Sequence, residues 1–211
     1  YYTEWNGADE YDTSYQAAFI AQTIAYNEGM VEGYSFWTVS DIFEEMGLLP
    51  TPYKNAFGMQ NNNGVPKPSY RMFQGGFKYL RFHGLFDDDM SVVIKPMMPW
   101  GKVEVSFLNI DSIFDFLLDT GMKPFVEIGF MPEALASGTQ TCMHYKGNVT
   151  PPADYDKWAE LIRMFGEHLI ERYGKEEISQ WFFEVWNEPN LNFFFSGTRD
   201  EYFKLYKTTA E

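Results

Sequence analysis

Glu4, Asp41, Glu44, His83, Glu127 and Glu188 each close or follow an apolar run of strand type in this 211-residue sequence. Trp5 and Asn6 follow Glu4, and Trp186, Asn187 and Asn190 surround Glu188. Aromatic residues make up 19% of the chain and crowd near Glu and Asn rather than spreading evenly along apolar faces. Sugar clefts have this make-up, because the C–H face of a sugar packs on flat rings while its hydroxyls need fixed polar partners. A Phe- and Tyr-rich core would give the same totals. Paired carboxyl groups on facing strands suit glycosidic bond cleavage: one attacks the anomeric carbon and the other protonates the departing oxygen. Retention of configuration sets them about 5–5.5 Å apart.

Other chemistries find less support. His83, His144, His168 and Cys142 show no ligand-like spacing apart from Cys142 with His144, so no metal is expected. No Gly-rich phosphate loop follows a strand, no Ser or Cys sits in a nucleophile elbow, and no cofactor is expected. A net charge of −14 argues against nucleic acid or an anionic membrane as partner, since either needs a basic face. Neutral substrates fit better. The lone Cys142 excludes an intrachain disulfide framework and leaves the compartment open. No apolar run approaches the ~18 residues of a membrane span, and no leader precedes the first strand-like run, so a soluble protein is expected. The first residues fall within a motif and the last within a helical pattern, which reads as a cut at each end.

The elements that must position these groups alternate between apolar strands and amphipathic helices, the pattern of βα units and a parallel sheet. A helix is predicted from Asp12 to Gly29, capped by Asp12, Thr13 or Ser14, with Ile20 and Ile24 among its apolar positions. Strands are predicted over 31–39, 77–83, 123–130 and 180–186, with loop-like sequence from 40 to 64 and a helical start at Lys67. A helix over 110–118 stops at Gly121. The helix from Tyr155 to Tyr173 carries Trp158, Leu161, Ile162, Phe165, Leu169 and Ile170 on one stripe, and Gly174 stops it. In a parallel barrel the residues just past the strand carboxyl ends line the active face, where the ionisable groups named above fall.

Phe183-Glu-Val-Trp-Asn-Glu-Pro-Asn resembles the end of the fourth strand in the large clan of retaining β-glycosidases. Tyr2-Thr-Glu-Trp-Asn resembles the seventh-strand segment of glycoside hydrolase family 39. Phe36-Trp-Thr-Val-Ser-Asp-Ile-Phe-Glu-Glu, Pro124-Phe-Val-Glu-Ile-Gly-Phe-Met-Pro, Leu135-Ala-Ser-Gly-Thr-Gln-Thr and Gly147-Asn-Val-Thr-Pro-Pro resemble the β-xylosidases of that family. The resemblance implies an α/β fold, a (β/α)8 TIM barrel, incomplete and in permuted order. Residues 1–74 resemble strands seven and eight with the nucleophile segment, and residues 75–211 resemble strands two to four with the acid/base segment. Together they would form one catalytic domain. The first, fifth and sixth strands have no counterpart, and the match breaks near Gln74-Gly75.

By this resemblance Glu188 is the acid/base and Glu4 the nucleophile, and Asn187 hydrogen-bonds the sugar 2-hydroxyl, an interaction that strengthens in the transition state. Glu188 must be protonated before attack and act as a base afterwards, so its pKa should fall once the glycosyl-enzyme neutralises Glu4. Standing alone, a Glu beside Pro is most often a solvated loop residue; Trp186 and Asn190 reverse that weighting. Glu44 or Glu45 would bind sugar hydroxyls, though an acidic loop reads similarly. Asp41 lies in the same segment. Trp37 could be a stacking platform or a core Trp, and His83 a donor to a hydroxyl or a satisfied buried histidine. Glu127, inside an apolar strand, needs a partner, for which Arg81 is the natural candidate.

The implied activity is release of terminal β-xylosyl residues from xylo-oligosaccharides. The alternatives are a glycosidase for another β-glycoside and a non-catalytic carbohydrate-binding or structural remnant, since open sheet edges leave backbone unpaired. Self-association as a homo-oligomer would be one way to close them. An iduronide site would need basic groups for the carboxylate, and few are present beyond Arg81.

Overall fold

A computed structural model describes residues 13–31, 33–34, 59–61, 65–70, 77–95, 103–143 and 145–211. The chain divides into two compact units, Tyr1–Phe77 and Lys78–Glu211. In the first, helix α1 (Ser14–Tyr26) begins where Thr13 turns extended and its side chain accepts the Tyr15 N–H at 3.2 Å. The helix is shorter at both ends than its apolar spacing suggests, since Asn27 already caps it and Gly29 takes φ +76°. Ile20 is buried, and residues 68–70 are helical. The strand expected over 31–39 is not seen at 31, 33 or 34, which follow directly on the turn over 27–30, and its remainder lies outside the described residues.

The second unit holds three parallel strands in the order β1 (Tyr79–Phe82), β4 (Lys123–Glu127), β7 (Phe182–Glu184). Their register pairs Arg81 with Phe125 and Phe125 with Phe182. Helix α2 (Leu108–Asp119) connects β1 towards β4, and α3 (Tyr155–Tyr173) with the short α4 (Lys175–Ile178) connects β4 to β7. Sequential parallel strands with intervening helices are the repeat of a (β/α)8 barrel.

Side chains alternate across these strands. On β4, Pro124 and Val126 are buried while Phe125 between them is half-exposed. Beneath the buried side lie Ile110, Phe114 and Leu117 of α2 and Trp158, Leu161, Phe165 and Leu169 of α3, all nearly inaccessible. Phe86 stands edge-on to Trp158 and Phe165, with ring centres 5.8 and 5.4 Å away. Ile170, included in the apolar stripe, is instead 45% exposed on its flank. The two helices are also clasped by polar groups: His168 Nε2 lies 2.7 Å from Asp111, and Tyr173 donates to Asp115 at 3.0 Å.

Strand lengths differ from expectation for identifiable reasons. Gln180 and Trp181 donate back to Glu177 and Ile178 in the turn that ends α4, so β7 starts only at Phe182. Ile128 still donates to the Glu184 carbonyl at 2.7 Å, and the ladder ends just after it, where the Phe86 N–H takes the Gly129 carbonyl at 2.6 Å. Two short antiparallel pairs, β2 (Val93–Ile94) with β3 (Glu104–Val105) and β5 (Thr141–Cys142) with β6 (Gly147–Asn148), fold the connections after β1 and β4. Helix α5 (Arg199–Ala210) carries the helical pattern at the chain's end and starts at a capping box of Thr198 and Glu201.

Candidate active site

Three strands point their carboxyl ends the same way, and their last residues together with the first few past those ends carry the polar groups. Arg81, Phe125 and Glu127, Phe182 and Glu184 share the sheet face opposite the helices. Near its middle the face is aromatic: the Phe182 ring lies 4.8 Å from that of Tyr79 and 5.5 Å from that of Phe125. Towards the carboxyl ends it becomes polar. Arg81 donates from Nε to Glu184 Oε2 at 2.7 Å and from Nη2 to Asn187 Oδ1 at 2.9 Å. A guanidinium has only donors, so this contact fixes the amide with its oxygen towards Arg81 and leaves its NH2 to donate elsewhere. Asn187 is thereby oriented as a hydrogen-bond donor.

Glu127 is 1% exposed and does not take Arg81 as its hydrogen-bond partner, contrary to the pairing read from the sequence. Parallel register places Glu184 directly beside Glu127, and Arg81 turns to the half-exposed Glu184. Glu127 instead accepts two backbone N–H groups, Gly84 at 2.9 Å on Oε2 and Asn187 at 3.1 Å on Oε1. Burial pushes this carboxyl up to about 8, against the pull of the Gly84 N–H and of Arg81. His83 is placed at the end of β1 with its Nε2 3.6 Å from Glu127 Oε2, and burial, helped by the nearby Arg81 charge, lowers it to about 4. It is therefore neutral at pH 7, with its ring 5.1 Å from Phe130.

Glu188 is exposed and follows Asn187 in a sharp turn where its own φ is +39°. Behind it the chain is tightly held: Trp186 is buried, its indole N–H donates to the Phe194 carbonyl at 2.8 Å, and Leu191 N–H returns to the Glu188 carbonyl at 3.0 Å. Phe130 and Phe195 pack edge-on against Trp186. The aromatic crowding around Asn187-Glu188 is thus partly a wall of packed rings. Trp158 and Trp181 are buried as well, with their N–H groups on Thr209 and Glu177.

The structure brings Asn187, Glu188 and His83 to one end of one sheet. Glu4, Trp37, Asp41, Glu44 and Glu45 lie outside the described residues, as does His144. Burial pushes the Cys142 thiol up to about 12, and among the described residues no cluster of His, Cys, Asp or Glu could hold a metal ion. No helix among them is long and apolar enough to cross a membrane. Sequence reading missed Glu184 and the backbone N–H groups of Gly84 and Asn187. Glu184 was visible two residues before Trp186, but its partner stands 103 positions away and only strand register joins them.

The family model for glycosyl hydrolases family 39 matches residues 1–75 and 74–211. A β-xylosidase of Caldicellulosiruptor saccharolyticus is 62% identical over 136 residues, covering 64% of this chain and 28% of that protein. One from Geobacillus stearothermophilus is 51% identical over 144 residues, covering 64% and 27%. The crystal structure of a monomeric β-xylosidase from Caulobacter crescentus CB15 superposes with a TM-score of 0.61 at 42% identity, over 67% of this chain and 29% of that one. The chain thus spans under a third of the length of these relatives, and its α/β unit is part of a TIM-barrel glycosidase fold.

Proposed function

The chain belongs to glycosyl hydrolases family 39, and on that premise we propose that it serves the hydrolysis of terminal β-xylosyl residues in xylo-oligosaccharides with retention. The observation that carries the reading is the Asn187-Glu188 turn: an amide oriented by Arg81 beside an exposed carboxyl, at the carboxyl ends of parallel strands. The names of the relatives supply the xyloside.

Glu4 is assigned the attack on the anomeric carbon by the resemblance of its segment. Glu188 delivers its proton to the glycosidic oxygen, so the C–O bond breaks with a neutral alcohol leaving. Glu188, now a carboxylate, removes a proton from water, and the hydroxyl displaces Glu4 from the anomeric carbon. Xylose is released and both groups return to their starting states. The Asn187 NH2 donates to the 2-hydroxyl, and His83, kept neutral, is assigned to a further sugar hydroxyl. Trp37, Asp41, Glu44 and Glu45 complete the proposed sugar contacts, and residues 1–74 and 75–211 are assigned to one permuted barrel.

Hydrolysis of a chromogenic aryl β-xyloside by the purified chain tests this, beside Glu188→Ala and Glu4→Ala. Activity in the parent and its loss in both variants is expected. The first-formed anomer, read by NMR, should keep the substrate's configuration. An inactive parent that still binds xylo-oligosaccharide would overturn the catalytic reading in favour of a binding remnant.

A further inference from the structure

Glu127 stands apart from the reaction steps just described, yet it is the most deeply buried carboxyl at this end of the sheet. Burying a carboxyl is costly unless its oxygens are met, and an apolar side chain would fill the last position of β4 with no such cost. Both oxygens are met by main chain alone. The two donors are not arbitrary. The β1–β4 pairing runs out at Phe82 and the β4–β7 pairing at Glu184, so Gly84 and Asn187 lie just beyond the ladders, where their N–H groups have no strand to bind. Each neighbours a left-handed turn, Gly84 itself at φ +85° and Glu188 at φ +39°.

We propose that Glu127 is a positioning residue for the acid/base segment: its carboxyl spans the ends of β1 and β7, fixing the peptide from which Glu188 projects. This rests on the assignment of Glu188 as acid/base. The Asn187 residue is then held twice, at its N–H by Glu127 and at its side-chain oxygen by Arg81, so the next carboxyl needs no anchor of its own and is left exposed for the glycosidic oxygen. Displacements of about 1 Å at such a group can cost ~10²-fold in rate. Burial raises the Glu127 carboxyl, which holds down negative charge beside Glu184 and Glu188. The packing around it is specific: a Cβ on Gly129 would come within 2.5 Å of Glu127 Oε1.

Glu127→Gln keeps the shape but turns one acceptor into an NH2, so one of the two backbone donors faces another donor. Gly129→Ala leaves the carboxyl intact and pushes it aside. Amide hydrogen exchange by NMR in the 211-residue chain is expected to show Gly84 or Asn187 opening about ten-fold faster in either variant, with Val126 unchanged. On an aryl β-xyloside, kcat should fall about 10–100-fold with KM within about two-fold. Wild-type exchange at both amides in both variants overturns the anchor. Faster exchange with kcat unchanged shows a structural tie only and overturns the positioning role. An inactive parent chain sinks the glycosidase reading instead, and with it the catalytic meaning of the anchor, whatever the exchange pattern.

Discussion

The two faces of the three-stranded sheet do opposite work from the same strands. On the helix side, Val126 meets a closed set of rings and aliphatic groups whose polar atoms, such as the Trp158 N–H, are satisfied locally. On the other side, Arg81, Glu184, Asn187 and Glu127 satisfy one another across three strands, and the Glu188 carboxyl beside them, proposed as the acid/base, is left exposed. On the proposed function, stability concentrates on one face and chemistry on the other, at one end. A change on the first should be read as lost folding energy, and a change on the second as lost rate.

The sharpest break of this division is expected at Glu188. Glu188→Gln should lower kcat/KM on an unactivated xylo-oligosaccharide by about 10²–10⁴-fold, with the unfolding free energy from urea titration changed by no more than about 0.5 kcal/mol. Trp158→Ala is its mirror image. It removes a fully buried ring and strands the Thr209 contact, for about 3–5 kcal/mol of stability in denaturant unfolding, while the folded fraction keeps its specific activity.

Glu127 crosses the division, and pH exposes it. A carboxyl raised from 4.5 to about 8 in the folded state contributes stability at low pH that is lost as pH rises through that window. Asp87, raised to about 6, chiefly by burial, behaves likewise but has finished by pH 6. His83, lowered to about 4, costs stability only as pH falls below 6.5. Between 6.5 and 8, of these three, Glu127 alone is changing. Unfolding free energy should drop by about 2 kcal/mol across that interval, at about 1.36 kcal/mol per unit, and Glu127→Gln should flatten it. A smaller effect belongs to Thr198→Ala, which removes the capping box of α5 and should cost about 1 kcal/mol with no change in rate.

How far this was legible from sequence follows the same boundary. Helix α3 was readable to the residue because Trp158, Leu161, Phe165 and Leu169 repeat at helical spacing and Gly174 stops the run. Strand ends were less so, since apolar residues such as Phe130 and Trp181 continue the run where the backbone bonds to turns rather than to the ladder. Asn187 and Glu188 carry a local motif. The partner of Glu127 was misread because charge alone suggested Arg81, whereas register gave Arg81 to Glu184, and backbone N–H groups have no letter in a sequence.

The positive φ of Glu188 bears on how this position would behave in a screen. For an L side chain that backbone region costs about 1–2 kcal/mol, a penalty glycine escapes and asparagine largely tolerates. A library randomised at 188 and sorted only for heat resistance should therefore enrich Gly and Asn, and each such clone would be a sturdier protein without the carboxyl that the proposed reaction needs.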